Sequence, residues 1–194
     1  INKEVKAVWI IGEDVVQTDP NSAHVAKAMN SLDLLVVQEI FMSETAKHAD
    51  VVLPGTTFLE KDGTFTNTER RVQRVNKAAE PLPGTKPDGV IVTEMMQKLG
   101  YKQPLYNADE VLAEIADVVP FFKGITRERL GKLGLQWPVK EDGTDTKILH
   151  EKEFKLGKGR IKYFDWKESS EIEQNKKEYP LILTTSRVLQ HYNA

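Results

Sequence analysis

Three short apolar runs constrain this chain more than anything else in it. Residues 6–12, 32–38 and 49–55 are rich in β-branched and aliphatic side chains, and each gives way to glycine or polar residues. Between the first two, Asn21 to Ser31 places Val25, Ala28 and Met29 on one helical face behind an asparagine cap. Between the second and third, Ser43 to Ala49 reads as a short helix entered through a serine or threonine cap. Continuous apolar strands alternating with helices make a parallel sheet covered on its faces, so the expected fold class is α/β.

Such a sheet binds ligands outside the carboxyl ends of its strands. Here those ends are Gly12-Glu13-Asp14, Gln38-Glu39 and Pro54-Gly55-Thr56-Thr57, which would line one edge. Gly12 lets the backbone come close to a ligand, and Asp14, Gln17 and Thr18 supply acceptors and donors. With one glycine the first strand end falls short of the dinucleotide fingerprint. An ordinary strand–helix turn capped at Asp19 or Asn21 explains the same residues.

The 194 residues suffice for one sizeable domain, or one domain and part of another. A hydrophobic content of 40% and a charged content of 29% are those of a globular protein. The net charge of -2 gives no electrostatic reason to expect a nucleic-acid partner. No apolar run approaches the ~20 residues that cross a bilayer, so no membrane segment is expected. The start, Ile1-Asn2-Lys3-Glu4, lacks the pattern of a signal peptide, and the expected location is cytoplasmic. It also lacks an initiator methionine, which reads as a cut piece of a longer chain. With no cysteine, the chain holds no disulfide, zinc thiolate or iron–sulfur ligand. His24, His48, His150 and His191 are scattered, and no metal ligand set is read from them.

Beyond the third strand, Asp62-Gly63 predicts a hairpin turn, followed by a polar run with neither period. Arg70, Arg71 and Arg74 in that run are either solvated or a basic cluster beside a phosphate crevice. Pro87-Asp88 begins a helix to Leu99 with Val90, Ile91, Met95 and Leu99 inward, and Asn107 caps another from Ala108 to Val118. From Pro120 to Tyr179 glycines and charges are frequent; Thr126 to Leu133 reads as a helix, Leu135 to Pro138 as an anchoring turn and Gly159 to Phe164 as a strand. Tyr179 to Thr185 reads as a last strand that either joins the first sheet or opens a further domain. Arg187 and His191, four residues apart behind it, are either solvated or a grip on a phosphate or polar ring.

Taken in order, Gly12 to Pro20, Val36 to Phe41, Thr45-Ala46, Ala49 to Pro54, Glu60 to Gln73, Lys86-Pro87-Asp88 and Thr184 to Tyr192 form a recognisable set. The set resembles the catalytic α subunit of molybdenum- or tungsten-dependent formate dehydrogenases, within the molybdopterin oxidoreductase (dimethyl sulfoxide reductase) superfamily. It departs from the family pattern at Val15, where proline is common, and at Ser186, where glycine is common.

The resemblance implies a Rossmann-like domain over residues 1–119 that holds molybdopterin guanine dinucleotide, a linker over 120–178, and the first strand of a truncated C-terminal pterin-binding barrel over 179–194. It implies cofactor contacts from Gly12, Glu13, Asp14 and Thr18 at the first strand end, Gln38 at the second, and Pro54, Gly55 and Thr56 at the third. Asp88 resembles an aspartate that contacts guanine or pterin, and Arg187 and His191 match residues that touch a second pterin. The metal thiolate and a 4Fe–4S cluster would belong to domains before Ile1, and no catalytic or metal-binding residue is assigned here. The implied reaction oxidises formate to carbon dioxide. The implied partners are formate, the remaining domains of the subunit, and electron-transfer subunits of iron–sulfur, flavin or hydrogenase type. Isolated, the chain is expected to be inactive and to bind cofactor weakly or not at all. The alternatives are the large subunit of a respiratory NADH dehydrogenase, a nitrate reductase, or a non-redox nucleotide-binding module.

Overall fold

A computed structural model of the chain describes residues 3–184 and 186. The chain divides into two compact units, Ile1–Lys147 and Ile148–Ala194. In the first, β1 (Ala7–Ile11), β2 (Leu34–Glu39) and β3 (Val51–Pro54) form a parallel sheet in the order β1-β2-β3. The expected parallel α/β sheet is therefore present. Its register places Ile11 beside Gln38 and Gln38 beside Leu53, so the three carboxyl ends share an edge. The apolar side chains that predict these strands also build the core: Ile10, Leu35, Val37 and Ala46 are buried, with Val8, Val15, Met29 and Val52 packed against them. Asp50 sets the start of β3, its carboxylate accepting from the Leu35 N–H at 2.7 Å.

Helices α1 (Val15–Thr18) and α2 (Ser22–Met29) fill the first crossover. Asn21 caps α2 from a left-handed conformation (φ 60°), its side chain accepting from the His24 N–H. A 3-10 turn, Ala46–His48, takes the place of the expected second helix.

The hairpin is not where Asp62-Gly63 suggests. Gly63 opens β4 (Gly63–Thr66), which pairs antiparallel with β5 (Arg71–Val75), and the reversal is Asn67-Thr68-Glu69-Arg70. Asn67 Oδ1 accepts from the N–H groups of Glu69 and Arg71, both at 3.0 Å, and Arg70 sits at φ 65°. An asparagine holding its own turn competes well with an Asp-Gly pair. A two-residue β6 (Leu135–Gln136) pairs with β5 where an anchoring turn is expected.

Helices α3 (Asp88–Lys98), α4 (Ala108–Val118) and α5 (Arg127–Leu130) form where helices are predicted, with Asn107 and Thr126 accepting from backbone N–H groups as caps. Leu99, expected inward, lies past the end of α3 and is exposed, and α5 stops at Leu130, short of Leu133, at Gly131 with φ 52°. Residues 120–147 pack with the elements before them: Val72, Leu112, Ile125, Leu130 and Val139 form a second buried core. Arg70 ties this region down. Its guanidinium donates to the carbonyls of Trp137, Thr146 and Lys147 and lies over the Trp137 ring. It is neither solvated nor part of a phosphate site.

In the second unit, α6 (Ser170–Asn175) is capped by Ser169, which accepts from the Ile172 N–H. The strand expected over Gly159 to Phe164 is absent, and Ile161 is fully exposed. Residues 179–184 also form no strand, and Thr185 lies outside the described residues. A strand is stable only when its backbone groups find partners along a neighbouring strand, and the described residues place no strand beside either stretch.

Arg70→Met removes charge-assisted hydrogen bonds to three carbonyls, so urea unfolding should show a loss of about 2–3 kcal/mol. Arg74→Met, which loses an exposed hydrogen bond to Asn76 and a solvent-screened attraction to Glu128, should stay within about 0.5 kcal/mol.

Candidate functional site

The sheet's carboxyl edge resolves into two clusters. The first is organised by Asp14, just after the turn at Gly12, whose φ of +62° suits a glycine. Asp14 Oδ1 accepts from the Thr45 N–H at 2.8 Å and the Thr45 hydroxyl at 2.7 Å, and Oδ2 accepts from the Glu44 N–H at 3.2 Å. Thr45 Oγ1 in turn accepts from the Val16 N–H at 3.0 Å, and Thr45 is fully buried. Burial pushes the Asp14 carboxyl up, but the hydrogen bonds from Thr45, Glu44 and Gln17 outweigh it and hold it below the ordinary range. Thr18 donates its hydroxyl to the Asp14 carbonyl at 3.0 Å, and Glu13 is exposed.

The second cluster gathers residues from all three strand ends and α3. Gln38 closes β2 and is 1% exposed. Its carbonyl accepts from the Gly12 N–H at 2.9 Å, and its amide donates to Asp88 Oδ1 at 2.7 Å. Asp88 is the first residue of α3, where a carboxylate is favoured by the helix dipole. Lys61 donates to Asp88 Oδ2 and, at 3.2 Å, to the Thr56 carbonyl. Gly55 eases this closeness: a Cβ there would lie 3.2 Å from Asp88 Oδ1, a tight contact that would push the carboxylate aside by a few tenths of an ångström.

Lys61 is positioned by local sequence. Thr57 and Glu60 form a capping box, with Glu60 accepting from the Thr57 N–H and hydroxyl, both at 2.8 Å, and this fixes the turn that Lys61 leaves. Burial raises the Asp88 carboxyl, while the hydrogen bonds from Lys61 and Gln38 and the Lys61 charge lower it further, so it stays ionised. Tyr106 lies against the first turn of α3, where a Cβ on Gly89 would overlap its ring. Burial, then the charges of Asp88, Asp109 and Asp62, push the Tyr106 hydroxyl up, leaving it a neutral donor.

The structure thus brings Gln38, Gly55, Thr56 and Asp88 together and joins Gly12 to them. It sets Asp14 and Thr18 in a separate hydrogen-bonded group and leaves Glu13 outside both. Arg187 and His191 lie outside the described residues. Lys61 and Tyr106 are site residues that sequence reasoning did not single out. The capping-box spacing Thr57 to Glu60 was the signal for Lys61; Tyr106 had none.

The profile of the family described as molybdopterin oxidoreductase matches residues 1–98. The chain belongs to the molybdopterin oxidoreductase family. It is 46% identical over 196 residues to a formate dehydrogenase subunit alpha of Methanocaldococcus jannaschii, covering 98% of this chain and 29% of the relative. It is likewise 46% identical over 195 residues to a formate dehydrogenase subunit alpha of Methanococcus maripaludis, covering 99% and 29%. The chain therefore spans 29% of the length of these relatives. In fold it resembles the acetylene hydratase of Pelobacter acetylenicus, with a TM-score of 0.53 and 24% identity over 63% of this chain and 17% of that one. Among the described residues no helix is long and apolar enough to cross a membrane.

Membership implies a molybdopterin cofactor, and the strand-end cluster suits its organic part. Gln38 Oε1 and Thr56 Oγ1 are buried with no hydrogen-bond partner among the described residues. Buried polar atoms are nearly always paired, so two orphans at one strand edge mark a place built for polar company. Asp88 adds an ionised acceptor whose side chain keeps 41% of its exposure. No group of three or more histidine, cysteine, aspartate or glutamate residues suited to a metal ion occurs among the described residues.

The two carboxylates also set an acid response. Folded Asp14 and Asp88 sit below their ordinary value of 3.8, so their contribution is complete above that value and lost as pH falls through the folded values. Unfolding free energy should therefore drop between about pH 5 and pH 2, and Asp88→Asn should make that decline shallower.

Proposed function

We propose that this chain is the part of a formate dehydrogenase α subunit that holds the guanine end of molybdopterin guanine dinucleotide. The observation that carries the reading is the setting of Asp88: ionised, half-exposed and held at the strand edge by Gln38 and Lys61. A carboxylate there accepts from both the ring N–H and the exocyclic amine of guanine. Gln38 and Lys61 orient that carboxylate, and Gly55 keeps the space beside it open. Gly12 and Thr56 line the same edge. Glu13, Asp14 and Thr18 complete the first strand end, with Asp14 acting through the Thr45 backbone it anchors. Arg187 and His191 are assigned to a second pterin.

The 46% identity to formate dehydrogenase α subunits across nearly the whole chain supports the subunit assignment. In the whole protein the reaction is formate to carbon dioxide, a proton and two electrons. When bound, the molybdenum or tungsten pterin centre supplies the two-electron acceptor. The metal thiolate and a 4Fe–4S cluster belong to other domains of the subunit, and the electrons leave to iron–sulfur, flavin or hydrogenase-type subunits in the cytoplasm. Within the chain we assign residues 1–119 to the cofactor-binding domain, 120–178 to an extension, and 179–194 to the start of a pterin-binding barrel.

Calorimetric titration with GDP tests the site. Against the expectation of weak or absent cofactor binding by the isolated chain, the preformed Gln38–Asp88–Lys61 arrangement leads us to expect weak but saturable GDP binding, reduced about 10- to 100-fold by Asp88→Ala as a charge-assisted contact is lost. Absence of binding at millimolar GDP, or equal binding by a folded Asp88→Ala variant, would overturn the reading.

A further inference from the structure

We infer that Lys61 selects guanine over other bases at this site, and that the cleft beside it receives the base; this rests on the reading of the site as a guanine nucleotide site. The cleft, of about 210 Å³, opens beside Lys61 and Asp88. Its walls are mainly apolar: Phe58, Phe65, Val111 and Ile115 face it, and Tyr106 borders it over α3. Those four wall residues stay between 37% and 52% exposed. Phe58 and Phe65 already meet edge to face, with ring centroids 5.9 Å apart. An apolar slot with a few convergent polar groups is how proteins hold flat heterocycles.

The polar groups at its mouth carry the selectivity. An ammonium has three N–H donors. Lys61 spends one on Asp88 and one on the Thr56 carbonyl, which leaves one open among the described residues. Asp88 accepts one side-chain bond on each oxygen and is also approached by its own backbone N–H, which leaves part of the carboxylate's acceptor capacity open. The pair thus offers one donor beside acceptors. Guanine presents the complement, a carbonyl beside a ring N–H and an amine. Adenine presents an amine where guanine has the carbonyl and a bare nitrogen where guanine has the N–H, so it meets both groups with like polarity.

The test titrates the chain with GDP, ADP and 6-thio-GDP, whose carbonyl oxygen is replaced by a weakly accepting sulfur. The wild type should prefer GDP to ADP by at least about 100-fold, because a polar site rejects an analogue that leaves its groups unpaired. It should bind 6-thio-GDP about 10-fold more weakly than GDP, a comparison that needs no variant to fold. Lys61→Met should compress the GDP-to-ADP ratio about 10-fold and Lys61→Arg should restore it, with thermal unfolding run on each. A purely structural Lys61 would lower stability and leave the ratio unmoved. An unchanged ratio in Lys61→Met, or equal binding of GDP and 6-thio-GDP, together with Asp88-dependent GDP binding, would overturn the role of Lys61 and leave the guanine reading standing. No GDP binding, or binding indifferent to Asp88→Ala, would overturn both.

Discussion

The functional edge depends on Gln38. Its backbone carbonyl receives the Gly12 N–H, its register places it between Ile11 and Leu53, and its side chain reaches Asp88. One residue therefore ties the ends of β1 and β2 to the start of α3. It can do so only because β2 is the central strand, paired on both sides and buried at Leu35 and Val37. A polar side chain in so enclosed a position is costly unless it is bonded. Gln38 meets that condition with its amide and not with its oxygen, an imbalance consistent with a site completed by something polar.

The two acidic residues at this edge illustrate how position decides role. Asp14 follows a glycine at the end of the first strand, the place where a ligand-binding carboxylate is most readily read. Its oxygens instead collect two backbone N–H groups and a hydroxyl from residues 44 and 45. It braces the connection between β2 and β3 against β1. Asp88, far along the chain at the mouth of a helix, keeps its exposure and its spare lone pairs. The brace and the acceptor work together, since a ligand-facing edge is useful only if its strand ends are held still.

A similar division runs through the arginines and lysines after Glu60. Arg70 is consumed in holding Trp137, Thr146 and Lys147, which closes residues 120–147 over β5 and the second core. Arg71 bonds Glu69, and Arg74 donates to exposed Asn76. Lys61, in contrast, comes to the strand edge. Within one basic stretch, charge alone says nothing about which residue meets the ligand; the return of the chain does.

Much was legible in the sequence because it is written locally. Continuous apolar runs marked β1, β2 and β3, and side-chain caps at Asn21 and Asn107 marked two helix starts within a turn of their own position. The order of strand ends along one edge followed from parallel topology. What escaped were features set by partners distant in the chain. The β4–β5 reversal was decided by Asn67 closing its own turn once pairing with β5 was available. The strand read at 159–164 had the right side chains and no neighbour among the described residues. Gln38 and Asp88 lie 50 residues apart, Lys61 and Asp88 27, and Arg70 and Trp137 67. Periodicity and capping need only a few consecutive residues, so the sequence by itself determined the elements and the edge they build. Which carboxylate faces outward, which cation attends it and which arginine becomes a strut were decided by the tertiary structure, because each depends on bonds between side chains that only folding brings within reach.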